Sequence, residues 1–269
     1  MTVYVFDGTM DGLLTAVFDA YALKEQPEEL LKSGDALPLF CERTYQVTTD
    51  EEKAQRVWKG LEKRLDREAL KLLSVSWLSE LRELNTPLFH YIYKVFQQPV
   101  GNSKSPTTSI SRNFADPDVL NVTNIARRVL HEQLRMKQFI RFQKAKDGTY
   151  LAVVAPDHNV VPLITDHFSD RFNDQPWLIY DAKRHYGFYY DGHAKPIRIT
   201  FENEFAVPFS LENGKLNEDI LSSDDQLLQD LWRTYFKAIC IKERMNPRKQ
   251  LKDMPRRYWK YMTEKQLPL

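Results

Sequence analysis

Cysteine is nearly absent from this chain: Cys41 and Cys240 are the only two thiols in 269 residues. Two thiols cannot supply a structural zinc site of the usual three or four thiolates, nor hold an iron–sulfur cluster. They read as reduced side chains of a reducing compartment, with a disulfide between them left open. Glycine is also scarce, at 9 residues, which argues against a Gly-rich nucleotide cradle. No run approaches 18 apolar residues, so no membrane span is expected. The opening MTVYVFDGTMDG lacks a basic segment and carries Asp7 and Asp11, unlike a secretory signal. A soluble, cytoplasmic protein is the expectation. The motifs HExxH, GxSxG, GxxxxGK[ST], CxxC and CxxxCxxC are all missing, and no cofactor or metal is expected.

What is present is ordinary core material, 42% hydrophobic and 12% aromatic, enough for one large domain or two modest ones. Val3–Phe6 reads as a strand ending at the turn pair Asp7-Gly8. Thr9 then caps a helix carrying Leu13, Leu14, Val17, Phe18 and Tyr21 at helical spacing. A strand, tight turn and helix can cradle a phosphate. Here only Gly8 and Gly12 are present, no Lys follows, and Asp7 and Asp11 would repel an anion, so a structural entry is expected. A second strand is expected at Arg43–Val47. A helix capped by Thr48 or Thr49 should follow, then helices after Asp66 and from Pro87. Residues 1–97 thus read as an α/β and helical region. Residues 98–115, containing QPVGNSKSPTTSI, read as a linker or a mobile loop.

Residues 116–269 form the remaining region, separate from the first or continuous with it. Asp116-Pro117 starts a helix. Phe139–Lys144 and Tyr150–Val154 read as a hairpin around Lys146-Asp147-Gly148. Pro162 opens a helix with the stripe Ile164, Phe168 and Phe172. Trp177–Ala182 and Tyr186–Tyr190 form a second hairpin, and Ile197, Ile199 and Phe201 a further strand. The fold class is α+β, with a mainly antiparallel sheet of two hairpins plus one strand, packed with several helices. A long helix should begin at Ser223 with Gln226 completing a capping box. Its apolar stripe would be Leu228, Leu231, Trp232, Tyr235 and Ile239.

The net charge of +1 conceals blocks of opposite sign. Between Leu120 and Lys146 seven Lys/Arg, among them Arg127 and Arg128, face Glu132 alone. Residues 202–230 hold eight acids against Lys215, and Arg233–Lys265 holds eleven Lys/Arg against three acids. In that tail, Arg248, Lys249, Arg256 and Arg257 sit beside prolines, with Tyr258 and Trp259 as ring faces. Cations neutralise phosphates and rings stack on unpaired bases, so these residues are the nucleic-acid-binding candidates. The alternative is that Trp259 is core and the tail cations balance the acidic segment. Weak catalytic candidates are Asp181, Arg184 and Tyr189 near the second hairpin, with Arg141; hairpin ends favour Asp for structural reasons too. His158 and His167, each after an Asp, read as surface pairs rather than metal ligands.

The stretches FDGTMDGLLTAVF, RFQKAKDGTYLAVVAP, HFSDRFNDQPWLIYDAKRHYGFYYDG and CIKERMNPRKQLKDMPRRYWKYMTE resemble an uncharacterised bacterial family labelled "probable DNA metabolism protein". The resemblance implies a role in DNA repair or modification beside a radical-SAM partner. A related domain is joined to uracil-DNA-glycosylase-like domains. No catalytic residues come with it. The leading expectation is an accessory protein that binds DNA and presents it to that partner. The alternatives are an enzyme acting on a nucleobase or nucleotide, in which Asp181, Arg184 and Tyr189 converge with Arg141, and a protein–protein adaptor without DNA contact.

Overall fold

A computed structural model describes residues 1–98, 111, 113–201, 207–239 and 246–265. The core of the expected linker, 99–110 and 112, lies outside the described residues, as do Glu202, Glu204 and Cys240; Cys41 is a free thiol. The chain forms two compact units, Met1–Leu130 and His131–Leu269.

The first unit begins with β1 (Thr2–Phe6) and α1 (Met10–Leu23). Thr9 caps α1 as expected, its hydroxyl accepting the Gly12 N–H at 2.9 Å. β2 (Glu29–Lys32) and β3 (Arg43–Gln46) flank β1, and both run parallel to it. The parallel sheet and β2 itself depart from the sequence expectation. A crossover rather than a hairpin follows β1, so β2 returns in the same direction. α2 (Glu51–Glu62) is capped by Asp50, not by Thr48 or Thr49. The Asp50 carboxylate accepts both Glu52 N–H and Lys53 N–H, which a single hydroxyl would do less well. α3 (Arg67–Trp77), α4 (Asn85–Gln97) and the start of α5 (Pro117–Phe139) complete the unit. Its core gathers Tyr4, Phe6, Leu13, Leu61, Leu73, Leu88, Phe89 and Ile92. Asp116 caps α5 as expected, through Asp118 N–H and Val119 N–H.

In the second unit α5 runs to Phe139, leaving only β4 (Gln143–Lys144) of the expected first strand. It pairs antiparallel with β5 (Tyr150–Val154), across a turn where Gly148 takes φ +89°. A 3-10 turn (Val161–Leu163) holds Pro162, and α6 (Thr165–Arg171) starts after it. β6 (Trp177–Asp181), β7 (Tyr186–Tyr190) and β8 (Ile197–Ile199) follow. The sheet order is β4-β5-β6-β7-β8. β5 and β6 are parallel while the other pairs are antiparallel, so the sheet is mixed. The α6 crossover between β5 and β6 forces the parallel pairing. Both strands are apolar along nearly their whole length because both sheet faces are covered. On one face Leu151, Val153, Leu178 and Tyr180 pack against Val207, Phe209 and Leu216. On the other, the Trp177 ring lies 6.4 Å from Phe168 and 5.5 Å from Tyr190. α7 (Ser223–Ile239), α8 (Pro247–Asp253) and a 3-10 turn (Arg256–Tyr261) end the unit. The Gln226, Leu228 and Ile239 side chains of α7 lie outside the described residues. Among the described residues no helix is long and apolar enough to cross a membrane.

Candidate functional site

The tail candidates divide into two sets. Arg257 and Tyr258 belong to a network around Glu132, whose side chain is 2% exposed. One Glu132 oxygen accepts from Asp157 N–H, Tyr258 O–H and Arg257, and the other from His158 N–H. Burial pushes the Glu132 carboxyl upward, but the His158 and Asp157 amides, the Tyr258 hydroxyl and Arg257 outweigh it, holding the group below its ordinary range. Burial, with the charge of Glu132, pushes the Tyr258 hydroxyl up to about 12. Arg257 also pairs with Asp157 at 2.6 Å. This arrangement pins the tail to α5 and to the loop after β5. Trp259 donates to the Met254 carbonyl and lies between Arg256 and Lys265, 5.8 and 5.0 Å from the ring centroid. Arg248 and Lys249 are exposed on α8, whose first turn is capped by Asn246. Arg127 and Arg128 are exposed in the first unit, Arg127 lying 6.0 Å over the Phe114 ring.

Among the described residues, the hollow that Arg141 lines is not lined by Asp181, Arg184 or Tyr189. Asp181 is wholly buried and pairs with Arg184 at 2.9 Å while accepting the Lys183 and Arg184 amides. Burial holds its carboxyl above the ordinary range, against the pull of Arg184. Arg184 goes on to donate to the Pro156 and Asp157 carbonyls. Asp181 and Arg184 thus brace the β6–β7 turn, and Tyr189 packs on the sheet core. Among the described residues no three His, Cys, Asp or Glu side chains gather as a metal site requires.

Arg141 lies elsewhere. Its guanidinium forks onto Glu264, with an Nη2 contact of 2.6 Å, and sits 5.9 Å over the Trp232 ring. It lines a hollow of about 480 Å³ together with Lys144, Trp232 and Asp225. Asp225 is buried and ties α7 to β4, accepting the Lys144 N–H at 2.8 Å and the Gln229 amide. The Lys144 ammonium has no ion pair among the described residues, and Trp232 is 40% exposed. A second hollow of about 140 Å³ adjoins it, lined by Phe142, Tyr150, Phe172, Gln175 and Trp177. Phe142 and Tyr150 line both. Phe142 stands 75° to Phe172 with centroids 5.5 Å apart, so two rings form a corner. α6 and its C-cap supply this geometry, because Phe168 and Phe172 lie four residues apart with parallel rings.

Sequence reading placed Phe142, Tyr150, Phe172 and Trp177 in strands and stripes and did not single them out. Aromatic and basic residues interleaved through residues 121–201 were the available signal.

Residues 84–264 match the model of a family described as a domain of unknown function, DUF4130. No curated protein and no solved structure matches the chain. With more than half of its length matched, the chain belongs to the DUF4130 family.

Proposed function

We propose that this chain binds unpaired nucleic acid in its second unit and presents it for DNA repair or modification beside a radical-SAM partner. One observation carries the reading: two adjoining hollows share Phe142 and Tyr150, with an exposed Trp232 and a Lys144 ammonium that has no ion pair among the described residues in the wider one. Stacking on an aromatic ring contributes about 1–3 kcal/mol per base whatever the sequence, and cations track the phosphates. Arg248 and Lys249 add exposed charge in the same unit. The test is a titration with single-stranded and duplex DNA at two salt concentrations. The single strand should bind more tightly and weaken with salt, and Trp232→Ala should cost roughly 5- to 100-fold. Binding indifferent to salt and to Trp232→Ala would overturn the reading.

A second reading, docking of a protein partner, is favoured by the outer face of α7. Leu227, Leu231 and Tyr235 are more than half exposed there. It predicts that Leu227→Asp with Leu231→Asp abolishes co-purification with the radical-SAM partner and leaves DNA affinity unchanged. Retained co-purification would exclude this face.

A further inference from the structure

We infer that the smaller hollow of the second unit receives a single unpaired nucleobase while the strand's sugar and phosphate stay in the wider one. The inference rests on the nucleic-acid reading above and assigns the ligand class of the inner site. Size is the first argument. Hollows that enclose drug-sized molecules measure about 300–1,000 Å³. The wider hollow, at about 480 Å³, falls within that range; the smaller, at about 140 Å³, holds the equivalent of roughly five waters. That is room for a planar ring system without its sugar.

Shape is the second argument. Phe142 and Phe172 meet at 75°, which offers a flat ring one face to stack on and one edge to abut. Polarity is the third. Trp177 is wholly buried behind the hollow's wall, and its Nε1 donor has no hydrogen-bond partner among the described residues. A buried donor left unmet is costly, and its usual remedy is an acceptor from a ligand or water. The Gln175 side-chain amide, half-buried in the same wall, makes no hydrogen bond among the described residues and offers both a donor and an acceptor. A nucleobase combines a flat face with such groups on its edge. An acyl chain would leave the Gln175 amide unmet.

The experiment compares two short strands binding to the full chain at one salt concentration: one wholly abasic, the other abasic except for a single thymine. The base should raise affinity at least tenfold. Gln175→Leu and Phe172→Ala should each cut that gain below threefold and leave the abasic strand's affinity unchanged. Equal affinity for both strands overturns the inference while strand binding, and with it the broader reading, stands. A gain lost in Trp232→Ala but kept in Gln175→Leu also overturns it, because the base then stacks on the outer ring. No binding of either strand overturns the inference, and no binding of an ordinary single strand at the same salt overturns both.

Discussion

Two buried carboxylates carry opposite electrostatic signatures. Asp181 is wholly buried and Arg184 is 10% exposed on its side chain, so removing one strands the other. Arg184→Met should cost about 3–5 kcal/mol of unfolding free energy, measured by urea titration, because the partner charge is left without compensation. A loss below about 1 kcal/mol would show that Asp181 is served by its backbone donors alone. Glu132, held below its ordinary 4.5, contributes stability that is present above that pH and lost as pH falls through the lowered value. Asp181, held above its ordinary 3.8, acts in reverse: the cost of its burial grows as pH rises past that value. Glu132→Gln should therefore lower stability at pH 7 and flatten its decline as pH falls below the ordinary 4.5. Equal slopes for both proteins would contradict the network. The sequence displayed Glu132 as the lone acid of a basic block, but not that Arg257 and Tyr258 converge on it from 125 and 126 residues away. Their pairing beside a proline reads equally well as a phosphate contact.

At the level of elements, local chemistry was legible and pairing partners were not. The caps Thr9 and Asp116 sit where a small polar side chain precedes a helical pattern. Thr48 or Thr49 was the expected cap of α2, and the carboxylate of the next residue, Asp50, takes that place. β2 (ELLK) is four residues inside an acidic stretch, too short for alternation to register. The first hairpin was readable from its turn, Lys146-Asp147-Gly148, and the second from its two aromatic runs. The parallel junction of β5 and β6 was not, since apolar runs announce strands but not which strands become neighbours. α7 shows the limit of periodicity: its stripe was legible, yet Leu231, Trp232 and Tyr235 on it are exposed. A sheet position offers a firm prediction. A Cβ on Gly187 would lie 2.7 Å from the Ile179 carbonyl oxygen, in the β6–β7 ladder. Gly187→Ala should lower stability by about 1–3 kcal/mol in chemical denaturation, because backbone must shift to admit the methyl. An unchanged midpoint would mean the ladder yields freely.

Across the whole molecule basic and acidic groups nearly balance, and some of them meet as pairs within the second unit, such as Arg141 with Glu264 and Arg257 with Glu132. The acidic stretch meets both the β4–β5 hairpin and the tail: Asp225 holds the Lys144 amide, Lys146 donates to the Asp219 carbonyl, and Arg233 pairs with Asp230 at 2.9 Å. Cations without such partners among the described residues, Lys144, Arg248 and Lys249, are the ones through which salt should act on DNA binding. The inner hollow was illegible in sequence because its rings have the spacing of core residues, and only the fold shows Phe142, Phe172 and Gln175 lining one small hollow. The most direct measurement is the affinity of the full chain for single-stranded DNA at 50 and 200 mM salt, with and without Trp232→Ala. The account predicts weakening of roughly tenfold or more from salt and a further loss of roughly 5- to 100-fold from the substitution. Affinity that changes with neither would contradict it.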